Sequence, residues 1–393
     1  MKNYSIILFF CLFSLKIAAQ EQDGYEYSIS SMNSLESKSV SADFLLKFYK
    51  GGYIDSAYKW ETIYKLKDKN HIGYFSLNRA DVSVPYKNDF SLYFSIIHQN
   101  LLGFGFSRNF FQLVFTGNNS LLGANVMLNP TVFQKYNFTE TFAGVKYKLK
   151  ENLYINAAIG PAFIYSHNNL NFSKSSFHTS PMADSLSLFF NGSYVSSGSS
   201  AFIKGVGFGS EIGMSGMSNN IKWKISASNL GCAWLNRKAV NSVRDTLMYF
   251  TGFEVTELSD ISNTVNEQVD DFEKTFDFKS DTAKTSIALP FLITGECAFQ
   301  TGKIESFLSF NYYNMKGFIP FIQYYPFYAL NDNWKISLPL KYGGFGPFNA
   351  GVGFECKIIK KISVLAEFPS LLSLARTKDN TSINACFKIV YKN

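Results

Sequence analysis

A two-residue alternation of polarity runs through stretches of about ten residues in the second half of this chain, and it constrains the fold more than any other feature. In residues 334–342, Trp334, Ile336, Leu338, Leu340 and Tyr342 fall on one face, with Lys335, Ser337, Pro339 and Lys341 on the other. Val352, Phe354, Cys356 and Ile358 alternate with Glu355 and Lys357, and Ile362, Val364, Ala366 and Phe368 with Ser363 and Glu367. The last such stretch sets Ile383, Ala385, Phe387, Ile389 and Tyr391 against Asn384, Cys386 and Lys388. Ile221, Trp223 and Ile225 oppose Lys222 and Lys224. Each stretch reads as a strand with one apolar and one wet face.

A soluble sandwich also alternates, with its apolar face inward. Three features favour lipid on the apolar side. The strands exceed the usual length of about five or six residues. Aromatics stand at strand ends, where amphipathic rings suit a membrane interface, and Trp223, Trp334, Tyr342 and Tyr391 are read as interfacial. The polar faces mix Gly and Ser with Lys and Glu, as a wet lumen does, so Lys335, Lys341, Glu355, Lys357, Glu367 and Lys388 are read as lumen-facing. Composition agrees: aromatic and charged residues each make up 17% of the 393, and about 25% charged is usual in soluble domains. A net charge of +7 is too mild for a nucleic-acid binder.

The N-terminus reads as an export signal. Lys2 precedes the apolar run 6–15, and Ile17-Ala18-Ala19 supplies small residues for cleavage near Ala19. That run is too short to cross a bilayer as a helix. The expectation is secretion followed by insertion into the outer membrane.

The fold expected is all-β: a transmembrane antiparallel up-and-down β-barrel of about 14 strands, with 12 to 16 in range. Short turns at Lys150-Glu151, Ser218-Asn219, Thr301-Gly302, Asn331-Asp332 and Lys360-Lys361 alternate with long excursions at 166–201 and 236–284. Barrels of this kind keep short turns in the periplasm and long loops outside. Ten strands follow from Leu153 onward. Residues 72–84, 90–98, 121–133 and 139–149 supply four more. The chain thus divides into a signal peptide (1–19), an N-terminal periplasmic or lumen-associated segment (20–70) and the barrel (71–393). In the second part Asp55-Ser56 caps a short helix through Leu66, read as a plug or a surface helix under the barrel mouth. Residues 108–115 read as one turn of helix near the periplasmic rim. The excursion 236–284 holds an acidic amphipathic helix over 254–281, read as a solvated face or a site for Ca²⁺ or a cationic partner.

Motif chemistry is sparse. No HExxH, Walker A, GxSxG or CxxC occurs. The glycine row Gly205, Gly207, Gly209 and Gly213 lacks the crossover helix of a phosphate loop and reads as a lumen-facing strand row or a bend. His71, His98, His167 and His178 have no Ser or Asp partner at motif spacing, so no catalytic, metal or cofactor site is expected and the chain reads as a non-enzyme. Beyond the signal run, Cys232, Cys297, Cys356 and Cys386 lie too far apart in this topology to pair.

Residues 43–55 (DFLLKFYKGGYID), 65–73 (KLKDKNHIG), 109–118 (NFFQLVFTGN), 205–213 (GVGFGSEIG), 229–236 (NLGCAWLN) and 287–290 (IALP) occur in that order. Together they resemble a Bacteroidota outer-membrane β-barrel family of unknown function, distantly similar in architecture to long-chain fatty-acid transporter barrels. Cys232-Ala233 before Trp234 departs from the bulkier or charged residues expected there. The resemblance implies fold and location, not a solute. Function is expected to be porin- or transporter-like passage of a small solute, hydrophobic ones included. The alternative is a plugged barrel serving as an interaction scaffold through its outer loops. The expected partners are outer-membrane lipid and an unidentified solute or surface partner, with the barrel monomeric.

Overall fold

The computed structural model describes residues 24–87, 89–198, 201–236, 239–250, 284–359, 361–371 and 381–392. The expected signal peptide and the acidic helix at 254–281 lie outside these residues. Fourteen antiparallel strands form one closed ring. In chain order they are β1 (Glu26–Ser37), β2 (Asn70–Lys87), β3 (Phe90–Phe106), β4 (Thr131–Lys150), β5 (Leu153–Thr179), β6 (Gly205–Ser218) and β7 (Ile221–Ser228 with Cys232–Leu235). The ring continues with β8 (Ser286–Ala288 with Leu292–Thr301), β9 (Ile304–Tyr313), β10 (Ile319–Ala329) and β11 (Trp334–Ser337 with Leu340–Gly344). It ends with β12 (Asn349–Ala350 with Val352–Ile359), β13 (Ile362–Phe368) and β14 (Ser382–Lys392). β1 closes the ring by pairing with β2 along one edge and β14 along the other.

The strand count is as expected, but two of its parts are not. Residues 26–37 are wall rather than an N-terminal appendage. Residues 121–133 and 139–149 are not two strands, because Thr131–Lys150 runs unbroken for 20 residues. The missed strand and the split one cancel. The start of the first strand, Glu26, and the end of the last, Lys392, lie side by side at the end that carries the short turns. Tight turns need left-handed backbone, and Asn219, Asn220 and Gly302 have φ of 45°, 69° and 60°.

By the loop-length rule that end is periplasmic, and everything between β1 and β2 lies at the opposite, outer end. Helices α1 (Ala42–Tyr49) and α2 (Ser56–Lys65) occupy that link, capped by Ser41 and Asp55. They join α3 (Arg108–Thr116), which follows β3 and is therefore also at the outer end rather than at the periplasmic rim. Phe44, Ile63 and Phe111 bury against Phe106, Ile72 and Phe104. The last three have even numbers on β2 and β3, so they sit on the outward face of the wall. The helices are thus a flange on the outside of the barrel and plug nothing.

β5 is 27 residues long, roughly 90 Å at 3.3 Å per residue, so its far half stands well beyond any bilayer. Leu186–Ser196 pairs with that half, and Val240–Phe250 pairs with Leu186–Ser196. The excursions expected as loops therefore build an outer sheet arm.

On the wall itself, Ile29, Phe94, Val145, Ile159, Ile212, Ile225, Ile293, Phe310, Ile322, Ile336, Phe354 and Ile389 are exposed. Twelve strands thus present an apolar side chain outward, which is the surface hydrocarbon requires. Arginine in place of Ile225 is expected to cost roughly 2–4 kcal/mol if that residue lies near the bilayer midplane. Denaturant unfolding of the reconstituted protein measures this, and a cost near zero would place Ile225 out of lipid.

Candidate functional site

The lumen has two unlike halves. The outer half is packed solid. Phe75, Leu101, Phe138, Ile164, Ala233, Leu235, Ile287, Leu289, Tyr313 and Phe321 point inward from the wall, and Met315, Phe318 and Phe345 join them in one buried cluster. The last three come from the links β9–β10 and β11–β12, which fold into the barrel from its outer end. Gly343 and Gly344, with φ of 101° and 77°, turn the chain inward and deliver Phe345. That ring lies against Gly73, where a Cβ would fall 1.8 Å from Phe345 Cδ2, so β2 must be bare at this point. The Lys316 amide donates to Gln134 Oε1 at 2.9 Å and fixes the other link to β4. The plug is therefore made of two outer links and the wall, not of the N-terminal segment.

The periplasmic half encloses a cavity of about 690 Å³. Tyr313, Phe321, Tyr325 and Phe327 stand on the β9–β10 side, and polar residues line much of the rest. A connected charge network spans it. Arg79 bonds Asp81 (Nε to Oδ1, 2.7 Å) and Glu211 (3.0 Å), and it donates to the Tyr93 hydroxyl. The Tyr93 hydroxyl donates to Asp81 at 2.8 Å, and Ser28 donates to the same carboxylate at 3.2 Å. Lys335 bridges Glu305 (2.7 Å) and Glu355 (3.3 Å). Two carboxylates share one cation in each set, so each carries spare negative charge into the cavity.

One flank of the plug is polar. Glu36 and Lys341 form a buried ion pair, with side chains 0% and 5% exposed, and the Lys341 ammonium also lies 4.6 Å from the Phe321 ring centroid. Ser34 donates to Asn384. Around them Glu36 Oε2, Tyr313 Oη and Asn384 Nδ2 are buried with no hydrogen-bond partner. A void of about 30 Å³ touches Ser34, Tyr313, Lys341 and Asn384, roughly the room one water needs. A polar track thus rises from the cavity along β1, β14, β10 and β11 beside the aromatic packing.

Of the residues expected in the lumen, Glu355, Glu367 and Lys388 line the cavity. Lys335 bridges two of its carboxylates, while Lys341 sits in the buried pair above it. Lys357 is exposed near the periplasmic end of β12, outside the cavity lining. Trp334 and Tyr342 are exposed on the outward face of β11. Tyr391 packs on Tyr27 with centroids 5.8 Å apart, and Trp223 is half-buried near the turn that joins β6 to β7. The four cysteines are free. Cys386 lines the cavity, whereas Cys232, Cys297 and Cys356 alternate with the inward residues of their strands. Sequence reasoning missed Arg79, Asp81, Tyr93 and Glu211, although Arg79 and Asp81 share a face by period two. Among the described residues no cluster of three or more His, Cys, Asp or Glu could hold a metal ion.

No protein-family model and no curated protein matches the chain. Solved structures do resemble it in outline. The Ralstonia pickettii toluene transporter TbuX is 9% identical over 95% of this chain and 90% of that one, with a TM-score of 0.44. A Pseudomonas aeruginosa FadL homologue is 8% identical over 95% and 90%, with a TM-score of 0.42. The Pseudomonas putida toluene transporter TodX is 8% identical over 95% and 89%, at 0.41. Likenesses this distant say nothing about a solute, and the barrel rests on its own strand pairing.

Removing one member of a buried ion pair strands the other charge. Glu36→Leu and Lys341→Met are each expected to destabilise the barrel by about 3–5 kcal/mol, while the double variant costs clearly less than the two together. A double-mutant cycle from denaturant unfolding checks this. Additive losses would show that the pair is not coupled.

Proposed function

We propose that this chain is an outer-membrane barrel that passes a small solute, with entry controlled by its two inward-folded links. The observation that carries this reading is a ligand-sized cavity beneath a plug made of links rather than wall. Ligand pockets commonly measure about 300–1,000 Å³, and the 690 Å³ cavity falls in that range. Residues 315–318 and 345–348 belong to no strand of the ring, so moving them outward costs the Lys316–Gln134 bond and the aromatic packing but leaves the strand pairing of the wall in place. A solute would meet rings at Tyr313, Phe321, Tyr325 and Phe327, and charge at Arg79, Asp81 and Glu211. That lining suits a molecule with an apolar part and a polar part. The polar track beside the plug would then hydrate the path as the links move.

A second reading, an interaction scaffold, is favoured by the outer sheet arm built on β5. The two readings part on the plug. With Phe318→Ala and Phe345→Ala combined, planar-bilayer conductance is expected to rise several-fold over a near-closed wild type, and solute uptake into proteoliposomes with it. Conductance unchanged by this variant would remove the transport reading and leave the scaffold.

A further inference from the structure

The outward face of the wall carries a polar island where lipid should be. Ser31 on β1, Asn78 on β2, His98 on β3 and Thr139 on β4 stand directly opposite one another across the strands. One step outward, Asn33, Ser76, Asn100 and Asn137 form a second row in the same register. The register makes both rows outward-facing, because Arg79, Gln99 and Glu140 alternate with them and point into the lumen. Below the island Ile29, Ala80 and Ile96 are apolar, with Thr141 continuing it on β4. On β14 Phe387 and Ala385 end its rows, and on β5 Phe163 ends one row while Ser166 extends the other.

Its hydrogen bonds are partly internal. Ser31 donates to Asn78 at 2.8 Å, Asn33 Nδ2 to Ser31 at 3.2 Å and Asn78 Nδ2 to Ser76 at 3.4 Å, and His98 Nδ1 lies 3.0 Å from Thr139 Oγ1. Each asparagine amide keeps at least one N–H beyond these bonds. These side chains are only half-buried, and bare N–H groups are unfavourable against hydrocarbon, so something other than acyl chain faces this patch.

What lies just outward of it names the occupant. The flange of α1, α2 and α3 packs on the next residues up the same face. Residues 38–69 carry seven lysines against four acidic residues, and Lys135 extends the β4 row toward the flange. The α1–α2 tip exposes Phe48, Tyr49 and Tyr53, the last two by 87% and 88%. Lysines and exposed rings together fit an anionic membrane interface, and hydroxyl and amide groups fit sugar and phosphate oxygens.

We infer that the polar island and the basic flange above it form a binding site for the phosphorylated headgroup of an outer-leaflet glycolipid. The site is independent of whether the lumen conducts. It also accounts for the polar outward faces of β1 to β4, which have no use in a barrel bathed only in acyl chains.

The test uses the full-length protein in phosphatidylcholine nanodiscs doped with lipid A, re-extracted gently and read by native mass spectrometry. Wild type is expected to retain lipid A, and retention is expected to fall about ten-fold in Asn78→Leu/His98→Leu, the size of one lost charge-assisted contact. Leucine suits a lipid-facing position, so this variant should keep heat-modifiable migration, and a parallel variant, Lys135→Gln, should also weaken retention. Equal retention by wild type and Asn78→Leu/His98→Leu, or equal retention of dephosphorylated lipid A, would overturn the site. So would no retention by wild type, or efficient dimer cross-linking through Asn78→Cys, which would make the occupant a second copy.

Discussion

A backbone surrounded by hydrocarbon has no water to bond, so every N–H and C=O in the wall must find its partner in a neighbouring strand. In this chain that condition is met only because residues 26–37 come back to pair with residues 382–392. The closure fixes much else. With fourteen strands and both described ends on one side, the short turns all fall on that side. The β1–β2 and β3–β4 links are forced to the other. The helices follow: their apolar faces have to cover something, and the nearest apolar surface is the outward face of β2 and β3 beyond the membrane belt.

Inside the ring, the chain solves the problem of a wide barrel in two ways. The outer half is filled with large buried side chains, using Phe318 and Phe345 from links to occupy space the wall cannot reach. The inner half is left wet, and its charges are gathered into shared sets around Arg79 and Lys335. Between the two lies the Glu36–Lys341 pair, a buried ion pair of a kind that stabilises little by itself but is costly to break singly. It ties β1, the closing strand, to the base of the inward link that carries Phe345.

The barrel was legible because the first part of β7 and β11 to β14 alternate cleanly, with apolar outward faces and largely polar inward ones. β1 was not, because Ser28, Ser30, Ser31 and Asn33 make both of its faces polar and erase the period. The same island hid the middle of β4, where Lys135, Asn137 and Thr139 look like a break between strands. Phe318 and Phe345 carried no signal at all, since turning a link into a lumen is decided by what it packs against. The Arg79–Glu211 contact joins residues 132 positions apart, and only closure of the ring brings them together. The lumen lysines split for a related reason: alternation assigns a face but not a depth, and depth separates Lys357 at the rim from Lys341 inside the plug.

The central claim is a lumen dry in its outer half and wet in its inner half, and thiol accessibility reads it directly. With Cys232, Cys297, Cys356 and Cys386 replaced by alanine, a charged methanethiosulfonate reagent is applied to the reconstituted protein. Lys388→Cys, at an exposed position on the cavity wall, should be modified readily, and Leu101→Cys in the same background should stay unmodified. Equal modification at both positions would mean an open channel without a plug, and an inert Lys388→Cys would mean there is no water-filled cavity.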